Sequence, residues 1–169
     1  MLFRSIVQDE ETTYAFNITG WGMASDVNVQ AEQLRWLGAM RYSVSAVINI
    51  MTFFKKRRLQ MKLADDVIDG NYLFFVALNT IHTGKGMKMA PHAKLNDGLI
   101  DTILVRDVSK LRAAKIFTQV FSGNHIFDPS VEYQQVKTFS IHTKGDLLNI
   151  DGENTGHTPI DVSVVPNAL

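Results

Sequence analysis

The sequence predicts an α+β, β-rich fold: an antiparallel β-sandwich with about three inserted helices. Three observations carry this expectation. About seven stretches with strand character occur, mostly consecutively towards the two ends of the chain, which favours an antiparallel over a doubly wound parallel sheet. Three segments switch to the 3.6-residue spacing of amphipathic helices. Neither G-x-G-x-x-G nor G-x-x-x-x-G-K-[ST] occurs, so the chain has no recognisable phosphate-cradling loop of its own.

In chain order, Leu2 to Val7 and Thr12 to Thr19 read as strands joined by the acidic turn Asp9-Glu10-Glu11. Gly20-Trp21-Gly22 breaks the pattern. A helix is predicted from about Val27 to Leu37, with Val27, Ala31 and Leu34 on one face and Gly38 ending it. A second runs from about Arg41 to Phe54. Its predicted buried stripe is Val44, Val47, Ile48 and Met51, extended by Ile50 and Phe53. Lys55-Lys56-Arg57-Arg58 then sits where cations favour a helix macrodipole. Leu59 to Leu63 alternates as a strand, and the continuous apolar run Tyr72 to Leu78 predicts a central strand covered on both faces. After a long loop from Ile81 to Asp97, Leu99 to Val105 is a strand. Ser109 caps a third helix whose apolar face is Ala113, Ile116, Phe117, Val120 and Phe121, and Gly123 closes it. Strands at Val131 to His142, Leu147 to Ile150 and Ile160 to Val165 complete the chain, with Asp151-Gly152 in the last turn.

Composition narrows the function classes. The 169 residues suffice for one domain with a substantial core. Lys+Arg 17 balances Asp+Glu 17, which argues against nucleic acid as a partner. The absence of cysteine excludes disulfides and thiolate zinc sites. The N-terminus does not read as a signal peptide, and no apolar stretch is long enough to span a membrane. The sequon Asn17-Ile18-Thr19 is read as chance. The five histidines form no i,i+4 pair.

Three constellations could carry chemistry. Ser25-Asp26-Val27-Asn28 leads into Glu32, Arg35 and Arg41; it fits helix capping with a local ion pair, or arginine forks on phosphate. Lys94-Leu95-Asn96-Asp97-Gly98-Leu99 fits a turn before a strand, or a weak hard-cation site built from one carboxylate and loop carbonyls. Ile150-Asp151-Gly152-Glu153 fits an exposed turn, or paired carboxylates that hold a magnesium-bound triphosphate or accept a hydroxyl proton. Phe53-Phe54 ahead of Lys55 to Arg58 suits either a buried helix end or an anionic bilayer surface.

Taken together and in this order, the motifs resemble the diacylglycerol kinase and sphingosine kinase superfamily of lipid kinases. Gly22-Met23-Ala24-Ser25-Asp26-Val27-Asn28, Glu32, Arg35-Trp36-Leu37-Gly38 and Met40-Arg41-Tyr42 look like the segment that follows the nucleotide domain in sphingosine and ceramide kinases. Met89-Ala90-Pro91 through Asp97-Gly98-Leu99-Ile100-Asp101 is similar to the superfamily's "AP-A-x-x-x-DG-x-x-D" segment, and Asp151-Gly152-Glu153 with Thr158-Pro159 resembles its "DGE" signature. The resemblance covers nearly the whole chain.

It implies that residues 1–169 form the C-terminal, NAD kinase-like β-sandwich domain of such an enzyme, which supplies the lipid pocket. The ATP-binding "GGDG" loop of the N-terminal domain does not occur here, so the resemblance implies a chain inactive alone: a fragment, or one completed by a nucleotide domain in cis or in trans. By position, Arg35 and Arg41 would contact ATP phosphates, and Asp151, Gly152 and Glu153 would line the nucleotide side. Glu153, with Asp151, would be catalytic, Glu153 as proton acceptor. Lys94, Asp97 and Leu99 would hold a structural magnesium, and Asp26 and Asn28 would meet the lipid head group. ATP and Mg2+ are the implied cofactors, and a cytoplasmic, peripherally membrane-associated location follows. Sphingosine kinases often carry an acid where Asn28 stands. A charge-assisted hydrogen bond contributes about 1.5–3 kcal/mol against about 0.5–1.5 for a neutral one, so ceramide or diacylglycerol becomes as plausible as a sphingoid base. The alternative, different in class, is a non-catalytic lipid-binding module derived from such a kinase.

Overall fold

The computed structural model describes residues 3–8, 11–52, 54–84 and 86–165. Its elements are β1 (Phe3–Gln8), β2 (Glu11–Ala15), β3 (Ile18–Gly22), α1 (Met23–Gln33), a 3-10 stretch (Arg35–Met40), α2 (Arg41–Thr52), β4 (Arg57–Leu63), β5 (Asp66–Leu78), β6 (Ile100–Arg106), α3 (Lys110–Val120), a 3-10 turn (Asn124–Phe127), β7 (Val131–Val136), β8 (Thr138–Ile141), β9 (Leu148–Ile150) and β10 (Ile160–Val165). The Asp9-Glu10 turn, Leu2 and Phe53 lie outside the described residues.

The strands pair antiparallel in the order β2-β1-β10-β8-β4-β5-β3-β9, with β6 on β5 and β7 on β6. β5 is the seam of this β-sandwich. Its first half pairs with β4, from Asp66 opposite Leu63 to Tyr72 opposite Arg57. Its second half pairs with β3 on one side and β6 on the other.

Period-two alternation along β5 and β6 then builds two cores from one continuous apolar run. Phe75, Ala77, Ile100 and Leu104 join Trp21, Leu59, Met61, Leu63, Phe139 and Ile141 in the inter-sheet core. Phe75 and Phe139 meet edge to face there, with ring centroids 5.0 Å apart. Phe74, Val76, Leu78, Ile103 and Val105 face the other way, against Met23, Ile50, Ala113 and Ile116 of the helices and Ala90 and Ala93 of the 81–99 loop.

Several predicted elements shift. The predicted strand Thr12–Thr19 is two strands, broken at Phe16-Asn17, and Gly20-Trp21-Gly22 belongs to β3 instead of ending it. Val131–His142 is likewise two strands, parted at Lys137. The first helix begins at Met23, with Gly22 as a cap lacking any side-chain bond, and stops at Gln33; Gly38 sits in the 3-10 stretch.

The buried face of the second helix is rotated from the predicted stripe: Ile50 is buried as expected and Val44 and Ile48 are half-buried, but Val47 and Met51 point to solvent. Ser45, Ala46, Asn49 and Ile50 are buried, whereas Val47 and Met51 are 49% and 65% exposed. Asn49 turns inward because its amide donates to Gln30 Oε1 (2.7 Å) and to the Ser45 carbonyl (3.0 Å). The basic run does not ride on the helix end. Arg57 and Arg58 open β4, and Arg58 forks onto Asp69 across the strand pair through two 2.9 Å bonds, holding that carboxyl at about 2.

Candidate functional site

The helices do not close flush onto the sheet. Between α1, α2, α3 and the outward face of β5 lies a cavity of about 440 Å³. Met23, Ala24 and Val27 of α1, Ala46 of α2, Ala113, Ile116, Phe117 and Val120 of α3, and Phe74 and Val76 of β5 make its walls. The small residues Ala46 and Ala113 leave room where larger side chains would fill it. Met87 and Met89 of the 81–99 loop cover one side. Polar groups gather at one end: Asn17, Asn28, Asn149, Asp151 and Gly152.

Asn28 is 3% exposed and occupies the centre of that polar end. Its Nδ2 donates to the Gly152 carbonyl at 2.7 Å and to Asn154 Oδ1 at 3.2 Å. Its Oδ1 is buried with no hydrogen-bond partner among the described residues. A buried bare acceptor costs free energy unless something donates to it, and here it borders a cavity. Asp26 is placed differently. Two residues along a helix is about 200° of rotation, so Asp26 leaves the cavity lining and pairs with Arg57 at 2.9 Å.

One turn beyond Asn28, Glu32 gathers both arginines of the motif. Arg35 Nε lies 2.9 Å and Arg41 Nη1 3.6 Å from its carboxylate. Arg41 also donates to the Tyr42 hydroxyl at 2.8 Å and stacks over that ring. Arg35 is 73% exposed in its side chain and so remains open to solvent. Residues 28 and 32 share a helix face. α1 therefore links the Asp151-Gly152 corner, through Asn28, to the arginine pair, through Glu32.

In that corner Asp151 and Glu153 differ sharply. Asp151 accepts from three successive backbone amides, those of Phe16 (2.5 Å), Asn17 (2.7 Å) and Ile18 (2.8 Å). Glu153 is exposed, and its carboxylate has no hydrogen bond or ion pair among the described residues. Its backbone is pinned to Ile150 by reciprocal bonds of 2.8 and 2.9 Å. Sequence reasoning missed the Phe16-Asn17 elbow and Asn79, whose Nδ2 donates to the Phe16 carbonyl at 2.7 Å. The only signal was a polar Asn-Thr ending the apolar run of β5.

The Lys94–Leu99 segment is a turn ahead of β6 and does not line the cavity. Asp97 Oδ1 accepts from the Leu99 amide at 3.0 Å, and Gly98 takes φ 76°. Just beyond, Asp101 is fully buried. It accepts from Tyr133 and Gln135 through Oδ1, while Oδ2 has no partner among the described residues. Burial first, and the nearby Asp97 charge, raise its pKa. This excess of carboxylate oxygen fits a hard cation in kind. No group of three or more His, Asp or Glu that could hold a metal occurs among the described residues.

His125 braces the cavity cover from outside. It is fully buried, and its Nε2 bonds the Met89 carbonyl at 3.0 Å. Burial pushes its pKa down. A histidine whose folded pKa lies below its unfolded one contributes full stability above the unfolded value near 6.5. That contribution falls as pH drops through the window between the two values. Melting temperature should therefore decline between pH 7 and 5, and His125→Gln should flatten this decline relative to the parent; parallel profiles would remove His125 as its source.

A family profile described as the YegS C-terminal NAD kinase β-sandwich-like domain matches residues 17–169. A diacylglycerol kinase of Mycobacterium tuberculosis is 28% identical over 159 residues, covering 90% of this chain and 50% of that protein. A diacylglycerol kinase of Bacillus subtilis is 23% identical over 149 residues, covering 86% of this chain and 49% of that protein. The chain thus spans about half the length of these relatives. A solved structure of a diacylglycerol kinase from Bacillus anthracis superposes with a TM-score of 0.70 at 18% identity, over 98% of this chain and 54% of that one, a likeness of fold.

Proposed function

Since this chain belongs to the YegS C-terminal NAD kinase β-sandwich-like domain family, we propose that it is the lipid-binding half of an ATP-dependent lipid kinase. The apolar cavity ending in the Asn28 acceptor is the observation that carries the reading. An acyl or alkyl chain occupies the walls, and the lipid's primary hydroxyl sits at the polar end. A neutral lipid alcohol such as a diacylglycerol or ceramide suits that end better than a sphingoid amine. The carboxylate of Asp26 is committed to Arg57 and that of Asp151 to backbone amides. The diacylglycerol kinase relatives favour the first of the two.

In this reading the hydroxyl oxygen attacks the γ-phosphorus of ATP, its proton passes to Glu153, and ADP leaves. Arg35 and Arg41 neutralise phosphate oxygens, and magnesium supplies further charge neutralisation when bound. The nucleotide loop comes from a second domain, in cis or in trans. Asp97, with the Lys94 and Leu99 carbonyls, would hold a separate cation that orders the turn before β6. The exposed Val47 and Met51 of α2, with Leu111 and the exposed Lys110 and Lys115 of α3, which have no ion pair among the described residues, favour a peripheral location on the cytoplasmic face of an anionic bilayer. A non-catalytic lipid-binding module, in which the same cavity holds a lipid without phosphoryl transfer, is the second reading.

Binding of a fluorescent diacylglycerol tests the lipid site under either reading. The chain should bind it, and Ala46→Phe, which pushes a ring into the cavity, should weaken binding by about tenfold or more. An unchanged affinity in the variant, or no binding by the parent chain, would remove the cavity as a lipid site.

A further inference from the structure

The Phe16-Asn17 elbow presents three consecutive N–H groups to one point. Such a run of amides forms a concave anion site, and here the chain fills it with its own carboxylate, that of Asp151, from 133 to 135 residues away. The contact is reciprocal, because the Asp151 amide donates to the Ile18 carbonyl at 2.9 Å. Asp151 adopts φ 51°, a left-handed conformation uncommon for residues other than glycine, asparagine and aspartate.

The elbow is gripped on its other side as well. Asn79 bonds the Phe16 carbonyl through its side chain and the Asn17 carbonyl through its backbone amide, and Thr80 Oγ1 donates to Asn17 Oδ1 at 2.8 Å. Both halves of the elbow line the cavity mouth. On the far side of Asp151, the Gly152 carbonyl takes the Asn28 amide and Glu153 begins the return. One carboxylate therefore joins the mouth of the cavity to the corner that carries Glu153.

We propose that Asp151 is a positioning residue that acts as an internal anion: by filling the amide nest at Phe16–Ile18 it sets the lipid mouth and the Glu153 corner in one rigid unit. Its role is to hold the backbone, since both its oxygens are already engaged by amides. The proposal rests on the lipid-site reading for its functional consequence but not for the nest itself.

The two are separable by experiment. Asp151→Gly suits the left-handed backbone, so it removes the carboxylate without adding strain and leaves the nest empty. Sodium acetate at the ionic strength of a sodium chloride control should raise the melting temperature of this variant and leave the parent unmoved. Affinity for the fluorescent diacylglycerol should fall by about tenfold or more in the variant, as expected for losing charge-assisted bonds at the mouth, and acetate should restore it. Acetate acting equally on both proteins, or on neither, overturns the proposal, as does a variant that melts and binds like the parent. If Asp151→Gly does not fold, Asp151→Asn serves: it tolerates the same backbone and keeps one acceptor oxygen, and should bind lipid with intermediate affinity, whereas parental affinity overturns the proposal. If the parent fails to bind lipid, the lipid-site reading falls, and acetate-dependent stabilisation of Asp151→Gly still decides the role of Asp151.

Discussion

Gly22→Ala should cost about 2–5 kcal/mol of unfolding free energy, a large share of the roughly 5–15 kcal/mol available to a domain. Gly22 ends β3 and caps α1, so the chain turns from strand into helix with no loop between. It does this at φ 74°, ψ −131°, a region that side chains rarely enter. An added Cβ would lie 2.8 Å from the Leu73 carbonyl oxygen and 3.3 Å from Phe74 Cα. Those atoms are backbone of β5, the central strand, and cannot swing aside. Gly38→Ala is the natural control. Gly38 has φ 55° and ψ −132°, but a Cβ there meets nothing within 4 Å. Its cost should be the conformational strain alone, about 1–3 kcal/mol. Urea unfolding of both variants separates the two contributions. Equal losses would mean that the close approach of Gly22 to β5 contributes nothing to stability.

The same junction shows what the sequence could and could not disclose. Where structure is local, it was legible. Ser109 caps α3 through the Arg112 amide, and Ala113, Ile116 and Val120 are its buried face, as 3.6-residue spacing requires. Leu59, Met61 and Leu63 alternate into the core along β4. The continuous apolar runs of β5 and β6 are covered on both faces.

Distant partners set what was not legible. Nothing between Thr12 and Thr19 announces a break; the elbow at Phe16-Asn17 exists because Asp151 and Asn79 hold it. α2 turns its Ser45, Ala46 and Asn49 side inward because that side meets α1 through Gln30 and borders a cavity that small residues keep open. Of the hydrophobic stripe read from spacing, Ile50 faces inward, Val44 and Ile48 are half-buried, and Val47 and Met51 face outward. At the site, motif order placed Asn28, Glu32, Arg35 and Arg41 on one segment. The fold separates Asn28, inside the mouth, from Asp26, outside it beside Arg57.

The two carboxylates of the corner should fail in different ways. Consider this chain joined to the nucleotide-binding half of a homologous diacylglycerol kinase. Glu153→Gln should lower kcat by about 10²- to 10⁴-fold, the usual range for losing a general base, and leave KM for the lipid within a few-fold. Glutamine keeps the shape and the backbone bonds to Ile150 and removes only the capacity to take a proton. Glu153 is suited to that task because its carboxylate is exposed and uncommitted, on a corner whose other acid is fully occupied. Asp151→Gly should instead raise KM, because it loosens the mouth, and acetate should lower KM again. The ratio of kcat to KM cannot tell these apart, so both parameters must be resolved. If Glu153→Gln keeps full kcat, the hydroxyl proton goes elsewhere and Glu153 loses its place in the transfer. A raised KM on unaltered kcat would make Glu153, too, a part of the mouth instead of the chemistry.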